Sequence, residues 1–338
     1  MFKEVCALFC VFYRDNRVLT FVYLTFLISA VFIIAPSIDL AVSRLFYVPG
    51  EGFPLARVAL LQDLRNAGSY VSVAVGIVLG VVLLLKLLNP MRPSLFAPRF
   101  SLYFVMLYLL GPALLVNGVL KNFWGRPRPK NVDEFGGQLP FVDAWSFGEH
   151  IFSHRSFVSG EAATIACLIP LALYLPRPWR RQVLVLLGLV AAAVSMNRVA
   201  AGAHFLSDIT ISTALVLTLA VGLRRAFYVA YAETFSNERL ESELTRIGLA
   251  WRAQRTAFAR ALFTLPAGAL RGAVRGLGIA TDWLGTQSVP VGALSSTLGT
   301  IASFAWLGPF LNGIATSLSS AISGTMVRLL SQDTPTRS

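Results

Sequence analysis

The chain has 338 residues, of which 55% are hydrophobic and only 14% are charged. A soluble domain of this size carries more charge, so the composition favours an integral membrane protein over a water-soluble one. The formal net charge is +12, but the basic residues cluster at the ends of apolar runs. That distribution is typical of membrane topology and argues against a nucleic-acid partner.

The apolar runs predict an all-α, six-helix membrane bundle over residues 18–225. Residues 1–17 precede it and are predicted to form a short helix at the membrane surface. The predicted spans are Val18–Ile38, Tyr70–Leu88, Leu102–Leu120, Gly160–Leu175, Val183–Met196 and Phe205–Leu223. The fourth and fifth runs are short for a hydrocarbon core of about 30 Å, which fits helices that begin or end beside a polar cavity.

The charges of the connecting loops predict the topology. The links after the second, fourth and sixth spans are basic without nearby acids, whereas the loops after the first and third spans mix both signs. Because basic loops stay in the cytoplasm, both termini are predicted to be cytoplasmic. The loop after the third span and the turn after the fifth then face the opposite side.

Residues 226–338 differ from the bundle and are predicted to form a helical tail. Apolar residues recur there at helical spacing, and no acid interrupts the arginines between Arg246 and Arg275. This pattern favours a basic amphipathic helix on the cytoplasmic membrane surface. The uncharged stretch Trp283–Val327 is open to several interpretations: a second interfacial helix, a re-entrant hairpin, an oligomer contact or a seventh span. The oligomeric state is not indicated.

Three polar residues stand out in the turn between the last two spans: Arg198, His204 and Asp208. A spacing of four residues on a helix places Asp208 beside His204, where a carboxylate orients an imidazole and stabilises its charged form. Arg198 adds a planar group that suits a phosphate or a carboxylate. The alternative is that these are unrelated residues at helix ends.

Two other stretches carry polar residues on the same predicted side. Lys121, Arg126 and Arg128 lie within eight residues among prolines and a glycine, which suits a bound anion. Ser159-Gly160-Glu161 opens the fourth span, where the free N–H groups of a helix start attract a phosphate. Taken alone, the second of these stretches is also an ordinary helix cap.

Together the three stretches resemble the type 2 phosphatidic acid phosphatase family, which shares its core with bacterial acid phosphatases and vanadium haloperoxidases. The family pattern is Lys, six residues, Arg-Pro; then Pro-Ser-Gly-His; then Ser-Arg, five residues, His, three residues, Asp. The corresponding positions here are Lys121 with Arg128-Pro129, Val158-Ser159-Gly160-Glu161, and Asn197-Arg198 with His204 and Asp208.

The resemblance implies that His204 is a nucleophile that forms a phosphohistidine and that Asp208 orients it. It also implies that the phosphoryl oxygens are held by a set of cations and a helix start: Lys121, Arg128, Arg198, Ser159 and Gly160. Phosphoryl transfer needs mainly positioning and neutralisation of charge, which these groups supply. Neither a metal ion nor another cofactor is expected.

The departure at Glu161 leaves the proton donor open, because the family has a histidine at that position. Three alternatives remain. Glu161 is protonated in a dry pocket once substrate arrives, the proton comes from His154 or His150, or the leaving group needs little protonation. The first is preferred, which makes Glu161 a candidate catalytic residue. His150 and His154 also have the spacing of a metal pair, but no third ligand accompanies them.

The expected function is hydrolysis of a lipid phosphate at the periplasmic face of a bacterial inner membrane. Lipid A and polyprenyl diphosphate are the preferred substrates, with phosphatidylglycerol phosphate and phosphatidic acid as further candidates. Two alternatives remain open. One is a phosphotransferase that passes the phosphoryl group to a second lipid, and the other is a non-catalytic phospholipid-binding or scaffold protein.

Overall fold

The computed structural model describes residues 16–149 and 154–264, and this part of the chain is helical without any β-strand. Five of its helices are long and apolar enough to cross a membrane: α1 (Arg17–Ile34), α3 (Ala59–Leu88), α4 (Pro98–Phe123), α6 (Arg177–Ala200) and α7 (Leu206–Ala230). The others are α2 (Ser37–Arg44), α5 (Gly160–Ala166, followed by a 3-10 segment, Ile169–Tyr174) and α8 (Asn237–Thr264).

The predicted helical membrane bundle is confirmed, with a short fourth element. Gly160–Tyr174 takes the place of the predicted fourth span and is apolar but shorter than the other five. The prediction that the fifth span is also short is wrong, because α6 has 24 residues. Its polar ends continue the helix beyond the apolar run, which a hydropathy argument does not detect.

Helix α3 shows the same effect at its start. The sequence predicted a mixed loop up to Ser69, yet the helix begins at Ala59 and has 30 residues. The added turns contain Gln62, Asp63 and Arg65, which are compatible with a helix but not with a hydrocarbon environment. The helix therefore extends past the apolar run and carries Arg65 towards the end of the bundle where α6 finishes.

The middle of α4 has π-helical hydrogen bonding from Leu109 to Leu120, with Pro112 inside it. Proline has no N–H to donate and displaces the carbonyl one turn earlier, so it disturbs the regular α-helical ladder. The side chain of Asn117 donates a hydrogen bond of 2.7 Å to the carbonyl of Pro112. A wider turn thus lets α4 cross the bundle with its polar groups satisfied.

Helix α7 is the central element of the bundle. Helix α1 packs along it, where Thr25 and Thr218 share a hydrogen bond of 2.7 Å. Helix α5 packs against α7 through small residues, and Ala162 and Ala163 are fully buried. The backbone N–H of Ser159 donates to the carbonyl of Asp208. The starts of α5 and α7 therefore meet at one end of the bundle.

At the opposite end of the bundle, the start of α8 binds the link between α3 and α4 through an ion pair and hydrogen bonds. Lys86 is almost fully buried, and its Nζ lies 2.7 Å from a carboxylate oxygen of Glu241. Glu241 also accepts hydrogen bonds from the backbone N–H and the hydroxyl of Ser94. This arrangement satisfies the charge of a lysine that lies at the end of a membrane-spanning helix.

The chain divides into two compact units after Gly248, within α8. The helix predicted for the first part of the tail is present as Asn237–Thr264, and its placement on the membrane surface stays a prediction. So does the boundary at residue 226. The predicted N-terminal segment up to residue 15, and the tail from residue 265, lie outside the described residues.

A matched pair of glycines in α3 tests the packing of α3 against α4. A Cβ atom at Gly76 would lie 3.1 Å from the ring of Tyr108, whereas one at Gly80 would meet no atom within 4 Å. Gly76→Leu is expected to lower the free energy of unfolding by about 1–3 kcal/mol through overpacking. Gly80→Leu is expected to unfold as the unaltered protein does. Thermal unfolding in detergent compares them, and equal midpoints would contradict the packing.

Candidate active site

The turn between α6 and α7 holds His204 in one position. Gly202 has a positive φ of 62°, and a Cβ atom there would lie 2.4 Å from the ring of Phe53. Its carbonyl accepts a hydrogen bond of 3.1 Å from the backbone N–H of Lys130. The left-handed conformation and the close approach of Phe53 both require glycine. The turn is therefore fixed by contacts to two other loops.

His204 is buried, and a main-chain oxygen determines which of its ring nitrogens carries the proton. Nδ1 lies 2.9 Å from the carbonyl oxygen of Ser156. A carbonyl oxygen only accepts, so Nδ1 must donate, and the lone pair of the neutral ring is on Nε2. Burial lowers the pKa of His204 below its usual value, and the charge of Asp208 opposes that shift. At neutral pH the ring is therefore uncharged.

The predicted pairing of His204 with Asp208 is close but is not a direct hydrogen bond. Oδ2 of Asp208 lies 3.6 Å from Nδ1 of His204, which exceeds hydrogen-bond distance. Asp208 instead accepts hydrogen bonds from the Ser156 hydroxyl at 2.6 Å and the Phe205 backbone N–H at 2.9 Å. The carboxylate is thus held beside the imidazole, where it stabilises a positive charge on the ring.

Arg126 is the cation that fixes Asp208. Its guanidinium is fully buried, and Nη1 lies 2.6 Å from Oδ1 of Asp208 while Nη2 lies 2.8 Å from Oδ2 of Asp39. Further donations go to the Ser207 hydroxyl and the Val142 carbonyl. All the guanidinium nitrogens therefore have protein partners. The interpretation of Arg126 as an anion-binding residue is wrong, since burial between two carboxylates leaves it no room for a ligand.

Glu161 lies between two arginines. Arg65 donates hydrogen bonds to both carboxylate oxygens, at 2.7 Å from Nη2 and at 3.0 and 3.1 Å from Nε. Nε of Arg198 lies 3.1 Å from the second oxygen. That N–H is not aligned with the oxygen for a hydrogen bond, and it has no hydrogen-bond partner among the described residues. Arg65 therefore binds Glu161 through hydrogen bonds, whereas Arg198 interacts with Glu161 through charge alone.

The same cations line a polar cavity of about 300 Å³ at this end of the bundle. Four basic side chains contribute to its wall: Arg65, Arg128, Lys130 and Arg198. Lys121 lies close enough to Arg128, Arg198 and Glu161 for their charges to interact. We call this cavity the basic pocket. So many cations around one small volume favour an anion, and a phosphate group above all.

Ser159 and Gly160 occupy the start of α5, as predicted. The Ser159 hydroxyl is fully buried and accepts a long hydrogen bond of 3.4 Å from the backbone N–H of Ala162. A Cβ atom at Gly160 would lie 2.7 Å from the side-chain oxygen of Asn117. The hydroxyl thus acts as a helix cap, and the glycine permits the close approach of α4. Their role towards a phosphate stays a prediction.

One alternative proton donor, His154, lies outside the basic pocket. His154 lines a different cavity, of about 210 Å³, together with Gly125 and Pro127. His150 lies outside the described residues, so the structure does not address the spacing of His150 and His154. Within residues 16–149 and 154–264, no group of three or more histidine, cysteine and acidic residues has the arrangement of a metal site.

Two residues of the site escaped sequence reasoning, Asp39 and Arg65. Both belong to the segment after the first span that was predicted as a mixed loop. Their partners are distant in the chain: Arg65 and Glu161 are 96 residues apart, and Asp39 and Arg126 are 87 apart. No local spacing encodes such pairs. The only signal was that charged residues sat near apolar runs on the predicted outer side.

Replacing Arg126 tests the buried ion pairs. Arg126→Met leaves Asp39 and Asp208 without their cation, and breaking a buried pair costs about 3–5 kcal/mol of stability. The exposed Arg57 donates a single hydrogen bond to the carbonyl of Glu51, so Arg57→Met is the matched control and is expected to be neutral. Thermal unfolding of both variants measures the difference, and similar midpoints would refute the structural role of Arg126.

Comparison with known proteins finds a matching family model and several related phosphatases. A family model described as the PAP2 superfamily matches residues 100–232, a stretch that runs from the third residue of α4 past the end of α7. A lipid A 4'-phosphatase of Rhizobium leguminosarum is 37% identical over 196 residues, or 54% of this chain and 84% of that protein. Another, from Rhizobium etli, is 45% identical over 103 residues, or 30% of this chain and 40% of its own.

A lipid A 4'-phosphatase of Francisella tularensis subsp. novicida is 32% identical over 124 residues, covering 34% of this chain and 56% of that protein. Among solved structures, a transmembrane PAP2 type phosphatidylglycerolphosphate phosphatase from Bacillus subtilis aligns with a TM-score of 0.41 and 18% identity. That alignment covers 61% of this chain and 94% of the other.

The first of these relatives matches over most of its length, and the stretch that the family model matches contains the residues of the predicted motifs. The resemblance inferred from those motifs is confirmed. The chain therefore belongs to the PAP2 superfamily, as an integral membrane phosphatase.

Proposed function

We propose that this protein removes a phosphate group from lipid A at the periplasmic face of a bacterial inner membrane. The observation that carries the proposal is the basic pocket, in which four cations surround a small volume whose wall includes Ala203, the residue before the neutral, buried His204. The relatives described above are lipid A 4'-phosphatases, which supports this lipid over the polyprenyl diphosphate that was equally preferred from the sequence.

The charge distribution supports the periplasmic placement. The end of the bundle opposite to the basic pocket carries the basic links that the positive-inside rule assigns to the cytoplasm. With Lys86, Arg99 and Arg177 on the cytoplasmic side, the pocket opens towards the periplasm. Both termini are then cytoplasmic. A bacterial inner membrane is the bilayer in which such an outward-facing site meets newly exported lipid.

In the first chemical step, Nε2 of His204 attacks the phosphorus and the bond from phosphorus to the sugar oxygen breaks. Lys121, Arg128 and Arg198 neutralise the phosphoryl oxygens. The Nε–H of Arg198, which makes no hydrogen bond among the described residues, is available to one of them. Ser159 and Gly160 are assigned to the same oxygens. The phosphorylated ring keeps its proton on Nδ1 and is positively charged, and Asp208 at 3.6 Å stabilises that charge.

Glu161 gives the leaving oxygen its proton in this scheme. Before substrate binds, two guanidinium groups favour the charged carboxylate, which is a poor acid. The phosphate takes over Arg198 and brings negative charge beside Glu161, so the carboxylate becomes easier to protonate while Arg65 keeps it in place. In the second step a water molecule attacks the phosphohistidine and passes a proton to Glu161, and inorganic phosphate leaves.

Phosphate release by the purified protein tests the function. Lipid A is compared with undecaprenyl diphosphate, phosphatidylglycerol phosphate and phosphatidic acid, with and without a chelator. We expect lipid A to have the highest kcat/KM. His204→Ala is expected to lower kcat at least 10³-fold because no nucleophile remains. Near-normal turnover by His204→Ala would remove the nucleophile assignment, and preference for another lipid would overturn the substrate.

The role of Glu161 is tested through the leaving group. Glu161→Gln removes the acid, and general acid catalysis contributes about 10²–10⁴-fold for a poor leaving group such as a sugar alkoxide. The leaving group of p-nitrophenyl phosphate needs almost no protonation, so the kcat/KM for this substrate, which reports formation of the phosphohistidine, is expected to fall less than 10-fold. His154→Ala is the control and is expected to affect neither substrate. Equal losses on both substrates would show that Glu161 is not the donor.

A further inference from the structure

A second cavity lies between α1, α6 and α7. Its wall is apolar, whereas the wall of the basic pocket is charged. The volume of this second cavity is about 420 Å³, and it is partly open to the surface. Leu24 and Ile28 of α1 form one side, and Gly188 and Ala192 of α6 form the other. Along α7, Leu217 is the lining residue farthest from the active site. We call this cavity the apolar groove.

The groove spans about half of a bilayer. Along α7 it reaches from Leu206 to Leu217, and eleven residues of α-helix rise about 16 Å. A hydrocarbon core is about 30 Å thick, so one leaflet is about 15 Å deep. The groove begins at the end of α7 that carries the active site and stops near the middle of the membrane. Its depth therefore matches a single leaflet on the side of the basic pocket.

The groove and the active site share the same two helices. On α6, Ser195 and Met196 line the groove, and the next two residues, Asn197 and Arg198, line the basic pocket. On α7, Ile209 lines the groove directly after Asp208, which stands beside His204. A molecule with a phosphate at one end and an apolar chain at the other would meet both surfaces at once.

The position of the groove favours a hydrocarbon chain over a protein segment, because the groove continues along α6 into the pocket that suits a phosphate. Small side chains line much of α6 here, including Gly188, Ala191 and Ala192. They leave space beside α6 into which a hydrocarbon chain can pack.

We infer that the apolar groove holds one acyl chain of the lipid whose phosphate occupies the basic pocket. This inference rests on the proposed function and adds to it a second point of recognition. Burial of methylene groups in the groove contributes binding free energy, while the ester phosphate is held at the cations. The groove then favours lipids with a long chain over soluble phosphate esters, through KM more than through kcat.

A pair of glycine substitutions tests the groove. A Cβ atom at Gly188 would meet no atom within 4 Å, so the side chain of Gly188→Leu enters the groove without displacing a neighbour. Gly80 of α3 has equally open surroundings but does not line the groove. Gly80→Leu is therefore the matched control, with the same change in a membrane-spanning helix.

The readout is the ratio of kcat/KM for lipid A to kcat/KM for p-nitrophenyl phosphate, which has no acyl chain. If the new leucine displaces two methylene groups, the ratio is expected to fall about tenfold, mainly through KM for the lipid. The control is expected to keep the ratio of the unaltered protein. An unchanged ratio in Gly188→Leu, or an equal fall in the control, would overturn the inference.

Photolabelling separates this inference from the proposed function. Lipid A and phosphatidic acid that carry a diazirine in an acyl chain are irradiated with the protein in vesicles, and labelled peptides are identified by mass spectrometry. We expect label on α6 and α1 that Gly188→Leu reduces and Gly80→Leu does not. Label confined to other helices overturns the inference even if lipid A is hydrolysed. Groove labelling without lipid A hydrolysis would overturn only the proposed substrate.

Discussion

The buried guanidinium of Arg126 is the interaction on which the site depends. It joins Asp39, from the helix after the first span, to Asp208, at the start of the last span, without access to water. The hydroxyl of Ser156 donates a further hydrogen bond to Asp208, and that of Ser207 donates one to Asp39. Burying such a cluster is costly unless every partner is present. Ion pairs therefore hold together the segments that surround His204.

The sequence was sufficient for those parts of the site whose residues are near one another in the chain. The spacing of His204 and Asp208 placed them side by side, and their separation of 3.6 Å agrees with that expectation. The bundle also followed from the apolar runs, because membrane insertion imposes a length on each helix. Helix ends were predicted less well, since residues such as Gln62 and Asn197 continue a helix outside the hydrocarbon core.

What sequence reasoning missed depended on contacts across the bundle. Lys121, Arg126 and Arg128 could not be distinguished from the sequence alone. In the structure Arg126 binds two buried carboxylates, whereas Arg128 lines the basic pocket. Arg65 belongs to a segment that hydropathy assigned to a loop, and it binds the residue that departs from the family pattern. Tertiary packing determines which of these side chains meet, and a single sequence does not reveal such contacts.

The hydrogen bond from His204 to the main-chain carbonyl of Ser156 has a consequence for how this site tolerates change. A peptide oxygen is present whatever amino acid occupies the position, so the tautomer of the nucleophile does not depend on the identity of residue 156. What has to be preserved is the path of the backbone. Substitutions that reroute the segment before α5 would thus inactivate the histidine from a distance, whereas loss of the Ser156 hydroxyl would leave the tautomer unchanged and remove only a hydrogen bond to Asp208.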